Sequence, residues 1–197
     1  MGATLVLASA SPRRRELLRA AGLEFEVVPS ALPEVPRPGE PAVALVHRLA
    51  RAKADDVACR RPGCCVLGAD TIVVVDDVVL GKPADRDAAR GMLQQLSGRA
   101  HRVLTAVALV EPGGQHHEML VESEVEFRPL ERDEIERYLD SGEPFDKAGA
   151  YAVQGRARQF IRAVRGSYSN VVGLPVDEVV ALLRRLSGTP ANPTTTP

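Results

Sequence analysis

Three arginines, Arg13, Arg14 and Arg15, follow directly on Ser9-Ala10-Ser11-Pro12. Ser11 has the chemistry of a helix N-cap, and Pro12 suits the first helical position, so the arginines fall in or beside a first turn. Positive charge is disfavoured there, because a helix N-terminus already carries partial positive charge. It becomes favourable once an anion docks. Free backbone N–H groups, the Ser9 and Ser11 hydroxyls and a guanidinium fork together fit a phosphate chain. A solvated basic turn is the plainer alternative.

A second residue out of place is Asp70. The stretch Cys65 to Val75 is apolar apart from Gly68, Asp70 and Thr71. A buried carboxylate without a partner is costly or titrates to neutral. Asp70 therefore faces a partner, solvent in a cleft, or a metal; a capping or salt-bridged Asp is the structural alternative. Thr71 falls on the opposite face if the strand is regular. Three lysines sit in structured surroundings: Lys53, Lys82 within Gly81-Lys82-Pro83, and Lys147 within Asp146-Lys147-Ala148-Gly149-Ala150-Tyr151. Glu34 stands in the loop Leu32-Pro33-Glu34-Val35-Pro36, and Gln154-Gly155 offers an amide that could read a base edge. Each residue alone has a surface or turn reading. Together, Ser9, Arg13, Lys53, Lys82 and Lys147 with a carboxylate pair suit a metal-bound triphosphate: cations neutralise phosphate oxygens and hard carboxylates hold Mg²⁺.

The elements that must position these groups alternate at first. Strands are expected at Thr4–Ala8 and Glu24–Val28, with a helix from Arg13 to about Ala21 between them. Ser30 to Pro41 contains four prolines and is a loop. A helix follows from Pro41 to about Ala58, its apolar face built on Val43, Leu45, Val46, Leu49 and Ala50. Cys65–Val75 is a buried strand, Asp76-Asp77 a turn and Val78–Leu80 a returning hairpin partner. Asp85 caps a helix to Leu96. The chain then turns β-rich. His101–Glu111 and Met119–Phe127 flank a turn at Pro112-Gly113-Gly114-Gln115, with Met119, Val121, Val125 and Phe127 on one face. Glu131–Ser141 is a helix, Phe160–Val164 and Asn170–Val172 are strands, and Pro175–Leu186 is a final helix. The expected architecture is α/β, a long mixed β-sheet flanked by helices. Residues 1–187 are expected to form one domain of two lobes around a cleft, and the Pro/Thr-rich residues 188–197 a disordered tail.

Composition narrows the function classes. The chain has 197 residues, 45% hydrophobic and 26% charged, in the range of soluble globular proteins. A net charge of -1 gives no global field for nucleic acid or an anionic membrane, so any anion site is local. No apolar run reaches the roughly 18 residues of a membrane span, and the N-terminus lacks the basic region of a signal peptide. Cys59, Cys64 and Cys65 are odd in number, with two adjacent, which fits a reducing cytoplasm better than a disulfide framework. His47, His101, His116 and His117 show no metal spacing and read as surface or core residues. There is no Walker lysine motif and no GxGxxG fingerprint.

The blocks Leu7-Ala8-Ser9-Ala10-Ser11-Pro12-Arg13-Arg14, Leu67-Gly68-Ala69-Asp70-Thr71, Gly81-Lys82-Pro83, Leu96-Ser97-Gly98, Asp146 to Tyr151, Gln154-Gly155 and Val172-Gly173-Leu174-Pro175, in this order and spacing, resemble the Maf nucleoside triphosphate pyrophosphatases along almost the whole chain. The resemblance implies an inosine-triphosphatase-like (Maf/Ham1) fold with a central cleft, a homodimer, and hydrolysis of a nucleoside triphosphate to monophosphate and pyrophosphate with Mg²⁺ or Mn²⁺. It implies Asp70 as catalytic base, and Glu34 with Asp70 as metal-holding carboxylates. Arg13, Lys53 and Lys82 match phosphate-handling positions, and Lys53 and Lys82 count with Asp70 as catalytic. Arg13, Thr71 and Gln154 match positions of base selectivity, and Ser9, Arg14 and Lys147 join them as substrate-binding residues. The Lys147 block with Gln154-Gly155 resembles the branch acting on dTTP and UTP rather than the N7-methyl-GTP branch. Pro33 stands where related sequences often carry a second acidic residue. The rival class is a non-catalytic nucleotide-sensing regulator, since the family has a historical link with septum formation. Such a regulator would keep the cationic cleft but has no need of Asp70.

Overall fold

The computed structural model describes residues 3–187. Seven strands form one mixed sheet in the order β2 (Glu26–Val27), β1 (Leu5–Leu7), β3 (Cys65–Val75), β5 (Ala100–Val110), β6 (His116–Phe127), β7 (Ile161–Arg165), with β4 (Val78–Leu80) also paired to β3. β1 runs parallel to both β2 and β3, and the remaining pairings are antiparallel. The helices are α1 (Pro12–Ala20), α2 (Ala42–Arg60), α3 (Arg86–Leu96), α4 (Arg132–Asp140), α5 (Tyr168–Val172) and α6 (Val176–Leu186).

The period-2 pattern of β3 sorts its residues onto two faces. Val66, Ile72 and Val74 pack with Val46, Ala50, Ala54 and Val57 of α2. Gly68 lies on this same face, where a Cβ would stand 2.4 Å from the Ala50 carbonyl oxygen and 2.7 Å from the Ala54 nitrogen. A glycine under two alanines thus brings α2 almost onto the sheet backbone. The opposite face carries two apolar clusters. One joins Leu67, Ala69 and Val107 to Leu18, Leu174, Val179 and Leu182. The other joins Val73, Val103, Val125 and Phe127 to Leu93, Leu96, Ile135 and Phe160. Between them runs a polar band of half-buried Thr71 and buried Thr105, Ser123 and Asn170, tied together by hydrogen bonds of 2.9–3.3 Å.

Local chemistry explains most element ends. The Ser11 hydroxyl caps α1 by accepting from the Arg14 N–H, and the Asp85 carboxylate caps α3 by accepting from Ala88. Asp76 and Asp77 both adopt positive φ, 47° and 63°, as the two-residue hairpin turn requires. Of the four β6 residues expected on one face, Met119, Val125 and Phe127 join the apolar clusters and Val121 does not, with Ser123 contributing to the polar band. The strand expected at Asn170–Val172 is instead the last part of α5. The Ser167 side chain accepts from the Asn170 N–H and starts a turn of helix, which Gly173 ends at φ 134°. The β-rich reading of that stretch followed its Asn-Val-Val composition and missed the N-cap. Other boundaries shift by a few residues: β6 begins at His116, β5 spans Ala100–Val110 and β7 begins at Ile161. Residues 188–197, expected to be a disordered tail, lie outside the described residues. No described helix is long and apolar enough to cross a membrane.

Candidate functional site

One long strand, β3, has its two edges treated differently. Its β5 edge is paired without interruption from Val66 to Val74. On the other edge β1 pairs only with Cys65–Leu67 and β4 only with Val73–Val75. The edge between them, at Gly68–Ile72, is left open, and Asp70 and Thr71 sit in that gap. The chain leaves β1 there through Ser9–Ser11 and enters α1. A cleft of about 420 Å³ opens at this point. Ser9, Arg13, Arg14, Glu34, Lys53, Asp70, Thr71, Lys82, Lys147 and Gln154, expected from the sequence to act together, all line it.

Asp70 follows Gly68 by two residues and therefore shares its face toward α2. Lys53 lies on the buried stripe of α2 between Ala50 and Ala54, the residues that touch Gly68. The close approach at Gly68 thus places the Lys53 ammonium on Asp70: Nζ donates to Asp70 Oδ1 at 2.6 Å and to Glu34 Oε1 at 2.5 Å. Lys82 Nζ reaches the other Glu34 oxygen at 3.4 Å. Burial pushes the Asp70 carboxyl above its ordinary range, and the Lys53 and Arg14 cations only partly offset it. Burial acts upward on Glu34 as well, but there Lys53 and Lys82 prevail and hold its carboxyl below the usual value. The two carboxylates therefore differ: Asp70 is an enclosed, more basic group, and Glu34 is a half-open anion held by two cations.

Thr71 points to the other face. Its hydroxyl meets Thr105 Oγ1 at 2.9 Å and the Gly173 carbonyl at 3.2 Å, and accepts from Arg14 Nη2 at 3.0 Å. Arg14 is buried, and it also donates through Nε to the Gly173 carbonyl at 2.8 Å and through Nη1 to Ser9 Oγ at 3.2 Å. Its guanidinium is thereby a strut joining the β1–α1 turn, β3 and the end of α5. Desolvation by burial lowers its pKa, against the pull of Asp70 and Glu34. Arg13, one residue earlier, stays at the cleft rim. The inward turn of Arg14 relieves the crowding of positive charge at the start of α1: Arg14 is tied into the fold by hydrogen bonds at the cleft floor, and Arg13 lines the cleft beside it.

The far wall comes from the chain after α4. Lys147 Nζ donates to the Glu143 carbonyl at 2.8 Å and to Asp146 Oδ1 at 2.5 Å. Gly149 has φ 67° and lies against Val73, and its N–H donates to the Gly81 carbonyl at 3.1 Å, which ties this segment to the Lys82 loop. Tyr151 lines the cleft and shares a 2.8 Å hydrogen bond with His101. Gln154 is exposed at the mouth. Sequence reasoning missed Glu143 and the Thr105–Asn170–Ser123 band. The run Ser167-Tyr168-Ser169-Asn170 ahead of two valines was the available signal for the second.

The chemistry of the donor set fits one kind of cation. Among the described residues no three His, Cys, Asp or Glu side chains cluster into a full metal cage. Glu34 and Asp70 meet at a single point, the Lys53 ammonium. Two carboxylates, one with a 43%-exposed side chain, suit a hard ion that takes its remaining oxygens from water and phosphate.

The family model described as Maf-like protein matches residues 4–186. A dTTP/UTP pyrophosphatase of Symbiobacterium thermophilum is 52% identical over 91% of this chain and 92% of its own. A dTTP/UTP pyrophosphatase of Myxococcus xanthus is 54% identical over 92% and 91%. Among solved structures, a HAM1 protein from Coxiella burnetii is 17% identical and superposes with a TM-score of 0.53 over 93% of this chain and 100% of that one, a likeness of fold. The open strand edge, its cation-lined cleft and these relatives together place the chain in the Maf family.

Proposed function

We propose that this cleft hydrolyses dTTP and UTP to the monophosphate and pyrophosphate. The relatives' names support the substrate class. The observation that carries the chemistry is Asp70, buried, raised in pKa, and joined to Glu34 through one lysine at the floor of a cation-rimmed cleft.

The triphosphate enters with its phosphates toward Arg13, Lys53 and Lys82, near the N-terminus of α1, where N–H groups and the helix dipole favour anions. Binding exchanges the Glu34 contacts of Lys53 and Lys82 for phosphate oxygens. Water attacks the α-phosphorus, and Asp70 takes its proton at Oδ2, the oxygen without a protein hydrogen bond among the described residues. A carboxylate raised by burial is a stronger base than an ordinary one. Lys82 and Lys53 stabilise the charge that develops on the phosphoryl group and on departing pyrophosphate. Glu34 and Asp70 would hold Mg²⁺ or Mn²⁺, which supplies Lewis-acid neutralisation of phosphate oxygens. Gln154, Thr71 and Lys147 belong to the substrate-binding wall, with Gln154 toward the base. A homodimer in a cytoplasmic setting completes the proposal; the free state of Cys59, Cys64 and Cys65 is consistent with a reducing compartment.

The test is a panel of nucleoside triphosphates with Mg²⁺ or Mn²⁺, scored for monophosphate and pyrophosphate, for the wild type, for Asp70→Asn and after chelation. Turnover of dTTP and UTP, lost on chelation and reduced by about 10²–10⁴-fold in a folded Asp70→Asn, is the expected result. Turnover confined to N7-methyl-GTP moves the chain to the other branch. Nucleotide binding without any turnover favours the sensing regulator.

A further inference from the structure

Glu143 has no part in the scheme above, yet it touches both halves of the far cleft wall. It follows Gly142, which has φ 73°. Its carboxylate joins α4 to a turn more than ten residues on: Oε1 accepts from the Tyr138 hydroxyl of α4 at 2.8 Å, and Oε2 accepts from the Arg156 N–H of the turn at 3.0 Å. Burial, and then the hydrogen bond to the Glu143 carboxylate, push the Tyr138 phenol upward and keep it a donor. The turn itself closes through the Gly155 N–H to the Ala152 carbonyl at 3.1 Å, and Val153 and Gln154 are the two residues between them. Gly155 lies directly on the carboxylate. A Cβ there would stand 2.1 Å from Oε1 and 2.5 Å from Oε2. Its φ is -97°, outside the left-handed region, so a side chain there would act by displacing the Glu143 carboxylate from the turn. The main-chain carbonyl of Glu143 meanwhile accepts from Lys147 Nζ.

We propose that Glu143 is a positioning residue for base selectivity: its carboxylate latches the Ala152–Arg156 turn that presents Gln154, while its carbonyl holds Lys147 on the same wall. This rests on the proposed reading of Gln154 as facing the base. A turn fixed by two hydrogen bonds and a close glycine contact limits where the Gln154 amide can go. A freed turn lets the amide meet several bases, so pyrimidine discrimination falls while the phosphate chemistry at Asp70 continues.

The test compares wild type, Glu143→Gln, Glu143→Ala, Gly155→Ala and the double variant, measuring kcat and KM for dTTP, UTP, CTP and N7-methyl-GTP. Glu143→Ala raises KM for dTTP and UTP roughly tenfold, as expected for the loss of the one charge-assisted hydrogen bond that ties Arg156 of this turn to Glu143. It leaves kcat within about twofold and narrows the ratio of kcat/KM for dTTP over CTP by a similar factor. Glu143→Gln keeps the shape and one acceptor and falls between; it carries the comparison if the alanine variant does not fold. Gly155→Ala reproduces the KM effect in the wild type but adds less than about twofold on top of Glu143→Ala, because the obstructing carboxylate is gone. Unmoved selectivity in a Glu143 variant, a loss confined to kcat, or effects of the two substitutions that multiply would overturn the inference. A wild type inert on every triphosphate defeats instead the functional reading beneath it.

Discussion

Replacing Lys53 by methionine, nearly isosteric but neutral, removes the cation from between the two carboxylates. Lys53 Nζ lies 2.6 Å from Asp70 Oδ1, and the two side chains are only 9% and 8% exposed. Burial already raises the Asp70 carboxyl, and Lys53 is the largest opposing influence, ahead of Arg14. An opposite charge at this range is worth about 1–3 pKa units, at about 1.4 kcal/mol each. Leaving one member of a buried pair uncompensated costs about 3–5 kcal/mol. With Arg14 still nearby, a loss of about 3 kcal/mol at pH 8 is expected. The sign of its pH dependence follows from linkage. A carboxyl whose folded pKa is raised penalises the folded state above that pKa, and the penalty vanishes as Asp70 protonates at lower pH. Urea unfolding of wild type and Lys53→Met at pH 8 and pH 5.5 reads this directly, because the packing of the methionine does not change with pH. The deficit shrinks at pH 5.5, and the acid limb of any residual activity moves to higher pH. A deficit equal at both values, or larger in acid, would refute the coupling of Lys53 to Asp70.

Two further substitutions test how the fold sets the site. Gly68→Ala forces a Cβ to within 2.4 Å of the Ala50 carbonyl and 2.7 Å of the Ala54 nitrogen. Moving α2 costs about 1–3 kcal/mol and displaces Lys53, lowering kcat/KM by about tenfold to a hundredfold. An unchanged melting temperature together with unchanged activity would contradict this. Thr71→Val removes the hydroxyl shared by Arg14, Thr105 and the Gly173 carbonyl. Unmet polar groups in this buried band cost about 1–3 kcal/mol, measured by urea unfolding; a neutral substitution would show that the band is not a strut.

The sheet and its helices were legible where burial is one-sided and periodic. The stripe of α2, the alternation of β6 and the Asp76-Asp77 hairpin all carried their own signals, except that Val43, expected on the apolar face of α2, lies in its first turn and is 44% exposed. Asp70 and Thr71 were separable onto two faces by strand periodicity, which now distinguishes the Lys53 side of the sheet from the Arg14 side. Two things were not legible. Arg14 and Arg13 are adjacent cations of one type, and only the tertiary positions of Gly173 and Thr71 turn one inward and leave the other at the rim. Glu143 met Gly155 and Arg156 through a carboxylate that crosses between two tight turns, and no period or motif announces such a crossing. The α5 error has a similar origin: five residues are too few for periodicity to outweigh the β-propensity of valine, so a single serine cap decided the structure. The resemblance implied the roles of Glu34 and Gln154, which as isolated loop residues carried only the general chemistry of a carboxylate and an amide.

The most direct measurement is hydrolysis of dTTP in ¹⁸O-enriched water with Mg²⁺, with mass analysis of both products. Attack of water on the α-phosphorus beside Asp70 places the label in the monophosphate and leaves the pyrophosphate unlabelled. Label in the pyrophosphate, or release of single phosphates, would contradict the placement of the triphosphate in this cleft.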